Sequence, residues 1–288
     1  MVSNTIGLLQ LPSITLLTPK TLDEAVSLMV ENPDAPIIAG GVYIISSIID
    51  RRIRPSKLID ISKLDALRKL EKSGDLVRAG PIIKHWELAE RFAPVSRAFK
   101  DFGDSYTSPS IANLATLGGS IALRHSSEDL ILIMLVHDAV LKLRTASSVR
   151  EVSLESYLRE DSGRHIIEEI AFLNPSKVFS SFQKIALGVS YTPLVSAAVS
   201  LGRGDGGGLL CRVATSHCRG GVPGRVRAAE EAVEDGGLDH DNLELVGKTV
   251  EKEIDPVDDL TAPAWYRRRV AGVLVRRMLD QLRRALPR

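Results

Sequence analysis

The 288 residues exceed what one hydrophobic core usually serves, so two domains, or a domain with lobes, are expected. Composition is 44% hydrophobic and 25% charged, which excludes a disordered chain. The formal charge is +1, from 37 Lys and Arg against 36 Asp and Glu, so no overall field marks nucleic acid or an anionic membrane as the main partner. No run of ~18 consecutive apolar residues offers a membrane span. The opening "MVSNTIGLLQLPSITLL" has neither a basic n-region nor a small-residue cleavage site, and a cytoplasmic location is expected.

Along the chain the first pattern is strand, helix, strand, helix, strand. "SITLL" is short and β-rich; "TLDEAVSLMVEN" opens on a capping box, Thr21 with Glu24, and puts Ala25, Leu28 and Met29 on one face. "APIIAGG" reads as a buried strand ending in glycines, "VYIISSIIDRR" as a helix and "KLIDIS" as a strand, which together make a compact α/β unit. A hairpin about Gly74 and Asp75 follows, then helices in "KHWELAERF" and "VSRAFKDFG". "SYTSPSIANLATLGGSIAL" sets small and polar residues around a second glycine pair, and "SEDLILIMLVHDAVLKLRT" joins a buried helix to a strand. "HIIEEIAFL" and "VFSSFQKIAL" carry β structure to about residue 187. Beyond it lie "LVSAAVSL", a turn in "GRGDGGG", the strand-like "LLCRVATSHC", and two closing helices, "GRVRAAEEAVEDGG" and "APAWYRRRVAGVLVRRMLDQLRRAL".

A phosphate requires donors converging on a small volume. Glycines allow close backbone approach, and a helix starting just after them adds unpaired N–H groups and a positive dipole end. Gly40-Gly41 and Gly118-Gly119 are each expected in such a setting, so that two loops could clasp the phosphates of one dinucleotide. A glycine pair after an apolar run is also an ordinary tight turn, and neither GxGxxG nor GxxxxGKS is present.

The order of these stretches carries more. "AGG" after a strand, "SIANLATLGGS" about seventy residues on, "EDLILIMLVHDAVLKL", and then "GGVPGRVRAAEEAV" and "AWYRRRVAGVLVRRML" resemble, over nearly the whole chain, one family. It is the FAD-binding medium subunit of the molybdenum hydroxylases, the xanthine dehydrogenase and carbon monoxide dehydrogenase family. The resemblance implies a mixed α+β protein. Residues 1–187 would form a two-lobed FAD-binding domain of the vanillyl-alcohol-oxidase/PCMH type, with lobes of about 1–62 and 63–187. Residues 188–288 would form a C-terminal domain with a small antiparallel sheet and helices. FAD is the implied cofactor. Its implied contacts are Ala39, Gly40, Gly41, Val42 and Tyr43 in the first loop, Thr116, Leu117, Gly118, Gly119 and Ser120 in the second, and Asp129 beyond it. Implied partners are a large molybdopterin-binding subunit and a small [2Fe-2S] subunit, whose electrons would pass through FAD to an external acceptor.

Several side chains depart from that pattern. Val42 and Tyr43 stand where the family usually has Thr or His and then Asp or Ser; Ser120 replaces an Asn, Ala112 an Arg, and the Arg and Asp usual after residue 180 are replaced within "IALGVSYTP". Each lost side-chain hydrogen bond would weaken binding by ~1 kcal/mol, and three by on the order of a hundredfold. The alternative reading is therefore a non-catalytic scaffold of the same fold that has lost FAD. A stand-alone flavin reductase on the same FAD fold fits less well, because the C-terminal stretches match the hydroxylase subunit.

No metal spacing occurs among the six histidines, and neither a nucleophile elbow nor a redox cysteine pair is present. Cys211 and Cys218 are read as buried thiols, Trp86 and Trp265 as packing residues, and the arginines of the last helix as a solvated or subunit-facing side. His125, just past the second loop, could approach a cofactor, and a ring at Tyr43 could stack on a flavin or block it.

Overall fold

The computed structural model describes residues 13–106, 108–187, 193–204 and 206–286. Residues 1–12 of the opening segment, 188–192 of "IALGVSYTP" and Asp205 of the glycine turn lie outside the described residues. In chain order the elements begin β1 (Thr15–Leu17), α1 (Leu22–Glu31), β2 (Ile37–Ile38), α2 (Val42–Ile49) and β3 (Lys57–Asp60). They continue β4 (Leu70–Ser73), β5 (Leu76–Ala79), α3 (His85–Phe92), α4 (Arg97–Asp104), α5 (Pro109–Leu114), α6 (Leu117–Leu123) and α7 (Asp129–Val136). Next come β6 (Val140–Arg144), β7 (Val149–Ser153), α8 (Leu154–Arg159), β8 (Ile166–Leu173) and β9 (Phe179–Ala186). The chain closes with β10 (Pro193–Arg203), β11 (Leu209–Arg219), β12 (Val222–Arg225), α9 (Arg227–Gly236), α10 (His240–Glu253) and α11 (Ala264–Ala285).

Among the described residues the strands form three sheets: a parallel β1-β3-β2, an antiparallel β4-β5-β8-β6-β7, and an antiparallel β12-β11-β10-β9. The expected mixed α+β class is what is observed. In the first unit the capping box is shifted by one residue: Glu24 N–H donates to Thr21 Oγ1 at 3.1 Å, but the Glu24 carboxylate accepts from Lys20 N–H at 2.7 Å. β2 is only half-buried rather than the buried strand its apolar run suggests, because Ile37 and Ile38 face a cavity.

Helix α7 explains how the parts are held together. All eight of its residues are buried, as a helix apolar on every side must be, and it packs between α4, α6 and α8 on one side and β10, β11 and β12 on the other. Period-two alternation makes β10 serve two cores at once. Val195, Ala197, Val199 and Leu201 face the cluster built by α9, α10 and α11, while Ala198 joins the core around α7 and Ser200 Oγ donates to the Val136 carbonyl at 2.7 Å. β9 pairs with β10 from Pro193↔Ala186 to Leu201↔Phe179, so the third sheet draws its first strand from before residue 187.

Three further features differ from the sequence reading. Three helices close the chain, not two: Asp239 caps α10 by accepting from Asn242 N–H at 2.8 Å, and Leu243, Val246 and Val250 bury its inner face. α10 crosses α11 so closely that a Cβ on Gly272 would stand 2.5 Å from the Gly247 carbonyl oxygen. Arg267 does not belong to a solvated side: it is 2% exposed and donates to the Leu194 and Val257 carbonyls and to Asp259. The other paired arginines of α11 meet acidic groups nearby, Arg268 with Asp255, Arg269 with Glu251, Arg276 with Glu244, and Arg283 and Arg284 with Asp280. Trp86 and Trp265 are exposed rather than packed, Trp265 by 67%. Both cysteines are buried, as expected.

Candidate cofactor site

The two glycine pairs do meet, but they do different work. A Cβ at Gly40 would lie 2.0 Å from the Leu114 carbonyl oxygen, so the first loop can pass under the end of α5 only as glycine. Gly41 takes φ +79° and is the residue from which α2 starts, with no side chain capping it. The first bond of α2 is Ile45 N–H to the Gly41 carbonyl at 2.9 Å; among the described residues the amides of Val42, Tyr43 and Ile44 meet no acceptor. An open helix N-terminus therefore lies against a cavity of ≈ 440 Å³ lined by Gly40, Gly41, Val42, Tyr43 and Ile44.

The second pair sits inside a helix rather than before one. Thr116 is the N-cap of α6, and Gly118 and Gly119 occupy its first turn. Every amide there is already partnered: Leu117 to the Ile83 carbonyl at 2.9 Å, Gly118 to the Pro81 carbonyl at 2.8 Å, Gly119 to Thr116 Oγ1 at 3.2 Å and Ser120 to the Thr116 carbonyl at 3.0 Å. In this structure the amides of this loop are therefore turned to the protein rather than to the cavity's contents. Gly118 serves close packing, since a Cβ there would stand 2.4 Å from Pro81 Cβ, whereas a Cβ at Gly119 would meet the Thr116 hydroxyl at 2.8 Å.

Ala39, Thr116, Gly119, Ser120 and Asp129 line the same cavity as the first loop, whereas Leu117 points into the core. Gly118 lines a second cavity of ≈ 400 Å³, with Arg124, Tyr157 and Arg164 on its far wall, that shares Ile37, Ala39, Gly119 and Ala122 with the first. Tyr43 is 47% exposed and lines the first cavity from one edge. His125 is exposed and is not part of the lining, but its Nδ1 lies 2.8 Å from Oγ of Ser127, which is.

Four titratable lining residues had no counterpart among the expected ones: His85, Tyr106, Glu128 and Lys184. His85 Nε2 lies 2.9 Å from Ser120 Oγ, and its Nδ1 is hydrogen-bonded to the Tyr106 hydroxyl. Burial pushes the His85 ring down to about 4, against the opposing pull of the Thr116 carbonyl, so the imidazole is neutral. Burial, then Glu128 and Asp129, push the Tyr106 phenol up. Asp129 accepts from Lys184 Nζ at 2.9 Å and from Ser196 Oγ at 2.5 Å; burial outweighs both and holds its carboxyl above the ordinary range. Glu128, half-buried beside it, is likewise raised by burial and by Asp129, with only the Ser120 hydroxyl opposing. No short motif marks these residues. The "SED" preceding the buried helix is the one local signal, because a charged pair entering an apolar run must find partners elsewhere.

A mixed α+β scaffold in which an open helix N-terminus faces a cavity has the arrangement that an anionic group of a cofactor would suit. A family model described as the FAD binding domain in molybdopterin dehydrogenase matches residues 12–173, and one described as the CO dehydrogenase flavoprotein C-terminal domain matches residues 185–282. The chain belongs to this family of FAD-binding oxidoreductase subunits. It is similar to the nicotine 6-hydroxylase medium subunit of Paenarthrobacter nicotinovorans, 25% identical over 282 residues that cover 94% of this chain and 98% of that one. Similarity to the carbon monoxide dehydrogenase medium chain of Hydrogenophaga pseudoflava is 25% over 283 residues, covering 91% and 94%. Among solved structures, a Cu,Mo-CO dehydrogenase chain superposes with a TM-score of 0.86 at 21% identity, covering 96% of this chain and 99% of that one. Quinoline 2-oxidoreductase from Pseudomonas putida 86 gives 0.83 at 19%, covering 96% and 99%. At these identities the structural likeness speaks for the fold. No helix among the described residues is long and apolar enough to cross a membrane.

Proposed function

We propose that the cavity between the first glycine loop and α6 holds FAD, and that the chain is the flavin-bearing link of a molybdenum hydroxylase. It would receive electrons from the [2Fe-2S] clusters of a small partner subunit, themselves supplied by a large molybdopterin-binding subunit, and deliver them to an external acceptor. The observation that carries the site is the open N-terminus of α2: Gly40 and Gly41 bring unpartnered amides to the cavity wall, which suits a diphosphate and needs no side-chain ligand at Val42 or Tyr43. Ala39, Gly40, Gly41, Val42, Tyr43, Thr116, Gly119, Ser120 and Asp129 are assigned to the wall of the site, and Leu117 and Gly118 to fixing the position of α6. Bound FAD supplies the redox chemistry; the residues here bind, orient and shield it. The partners are inferred from relatives named as medium subunits and medium chains. The division into 1–187 and 188–288 is kept as a proposal, with β9 a strand that the two parts share.

The test is an absorption spectrum of the purified chain before and after desalting, with and without added FAD, followed by co-expression with the two partner subunits. Retained flavin bands and a three-subunit complex are expected. A colourless chain that ignores FAD even with its partners present would instead favour the scaffold, and the double reversion Val42→Thr with Tyr43→Asp would then restore uptake.

A further inference from the structure

We propose that Glu128 takes up a proton when an anionic dinucleotide fills the cavity, so that cofactor affinity is tied to pH through this one carboxyl. The inference rests on the FAD reading of the site and concerns what the chain must do to admit it.

The charge inventory of the cavity wall motivates it. Only Glu128, Asp129 and Lys184 among the lining residues carry formal charge, since His85 is neutral. Lys184 is committed to Asp129 at 2.9 Å, and Asp129 takes a second bond from Ser196 at 2.5 Å. Glu128 has no cation among the lining residues left to pair with it. An ionised Glu128 would leave the site with one negative charge that no side chain compensates before a diphosphate arrives, beside partial positive charges of about +0.5 at the N-termini of α2 and α7. Filling the cavity also strips water from this half-buried carboxyl, whereas Asp129, 8% exposed, has little water to lose. Both effects favour the neutral acid at Glu128.

The groups around Glu128 make this carboxyl the responsive one. Asp129 follows it on α7, Lys184 comes from β9, His85 from α3, Tyr106 from the end of α4 and Ser120 from α6; the His125 carbonyl accepts the Glu128 amide at 3.0 Å. Of these groups, Glu128 is the one that combines a carboxylate with partial exposure and the lack of a cationic partner, since Lys184 is held by Asp129 at 2.9 Å.

The experiment is calorimetric titration of FAD into the full chain, in buffers of differing ionisation enthalpy, from about pH 5 to about pH 9, where neither His85 nor Tyr106 titrates. The wild-type chain is expected to take up close to one proton per FAD, with Kd rising about tenfold per pH unit over the window between the free and bound pKa values. Glu128→Gln is expected to bind FAD with no uptake and a flat pH profile, and Glu128→Asp to retain the uptake. FAD binding by the wild type without proton uptake, or uptake that survives in Glu128→Gln, overturns the inference and leaves the site assignment intact. No FAD binding in any buffer overturns the site assignment along with it.

Discussion

Lys184 on β9 donates to Asp129 at the start of α7 over 2.9 Å, joining the third sheet to the helix that enters the cavity wall, although the two lie 55 positions apart in the chain. The pair is shielded, with 18% and 9% of the two side chains exposed. Removing one partner of a buried pair leaves an uncompensated charge, which costs far more than the pair itself contributes. Lys184→Met is therefore expected to lower stability by about 3–5 kcal/mol in urea unfolding, and Asp129→Asn in the same chain to recover much of it. A loss below about 1 kcal/mol, or no recovery in the double variant, would show that the carboxyl already folds as the neutral acid.

The glycines of the site separate by what a methyl group would strike. Gly40→Ala drives Cβ onto the Leu114 carbonyl and Gly118→Ala onto Pro81, and neither obstacle is a flexible side-chain end. Each is expected to lose about 1–3 kcal/mol through forced backbone shifts, and Gly40→Ala to weaken FAD binding as well by moving the start of α2. Gly206 is the control: an added methyl there would meet nothing within 4 Å and its φ is not positive, so its Ala variant should lie within about 0.5 kcal/mol of wild type. Equal melting temperatures across the three would refute the packing account.

Arg164 reaches from the strand-entry turn before β8 to the carbonyls of Asn32, Pro33 and Ala35, at 3.1 Å and 2.5 Å for the first and last. It ties the turn ahead of β2, and hence the first glycine loop, to the approach of β8. Arg164→Ala is expected to cost about 2 kcal/mol, since each charge-assisted bond is partly replaced by water at this half-open site. Arg164→Lys, with one point charge in place of a planar fork, should regain less than half of it. Differential scanning fluorimetry of the three chains decides; full recovery by Lys would mean that charge, not fork geometry, holds this turn.

How much of this can be read in the sequence depends on the range of the forces involved. The apolar periods of α1, α3, α4 and α7 and the Gly74 turn are legible because neighbouring residues fix them. The first glycine loop is legible too, as a strand end followed by a helix. The second misleads in detail: "TLGGS" looks like a loop, but Thr116 caps a helix in which Gly118 is required by contact with Pro81, thirty-seven residues before it. His85, Tyr106 and Lys184 are illegible for the same reason, since each meets its partner across the fold and carries no local pattern. Arg267 shows the converse, an arginine that looks solvated on a helical wheel and is buried because the turn at Val257 to Thr261 wraps its guanidinium.

Two buried imidazoles set the acid limit of the fold. Burial lowers both His85 and His137 to about 4, the Thr116 and Ile133 carbonyls opposing the shift, and His137 Nε2 has no hydrogen-bond partner among the described residues. In the unfolded chain both titrate near about 6.5, so between about pH 6.5 and about pH 4 the unfolded state binds more protons than the folded one. Stability from these rings is thus fully present above about pH 6.5 and is lost progressively as pH falls to the folded value, by about 3 kcal/mol for each at the bottom of the window. The raised carboxyls of Asp101, Glu128 and Asp129 act in the opposite sense on acidification, so the contribution of one ring is read as a difference between chains. His137→Asn should reduce the slope of unfolding free energy against pH by up to about 1.4 kcal/mol per unit across that window and leave the slope above pH ~7 unchanged. Parallel curves for variant and wild type would mean that His137 finds a proton acceptor on acidification and is not held neutral by the core.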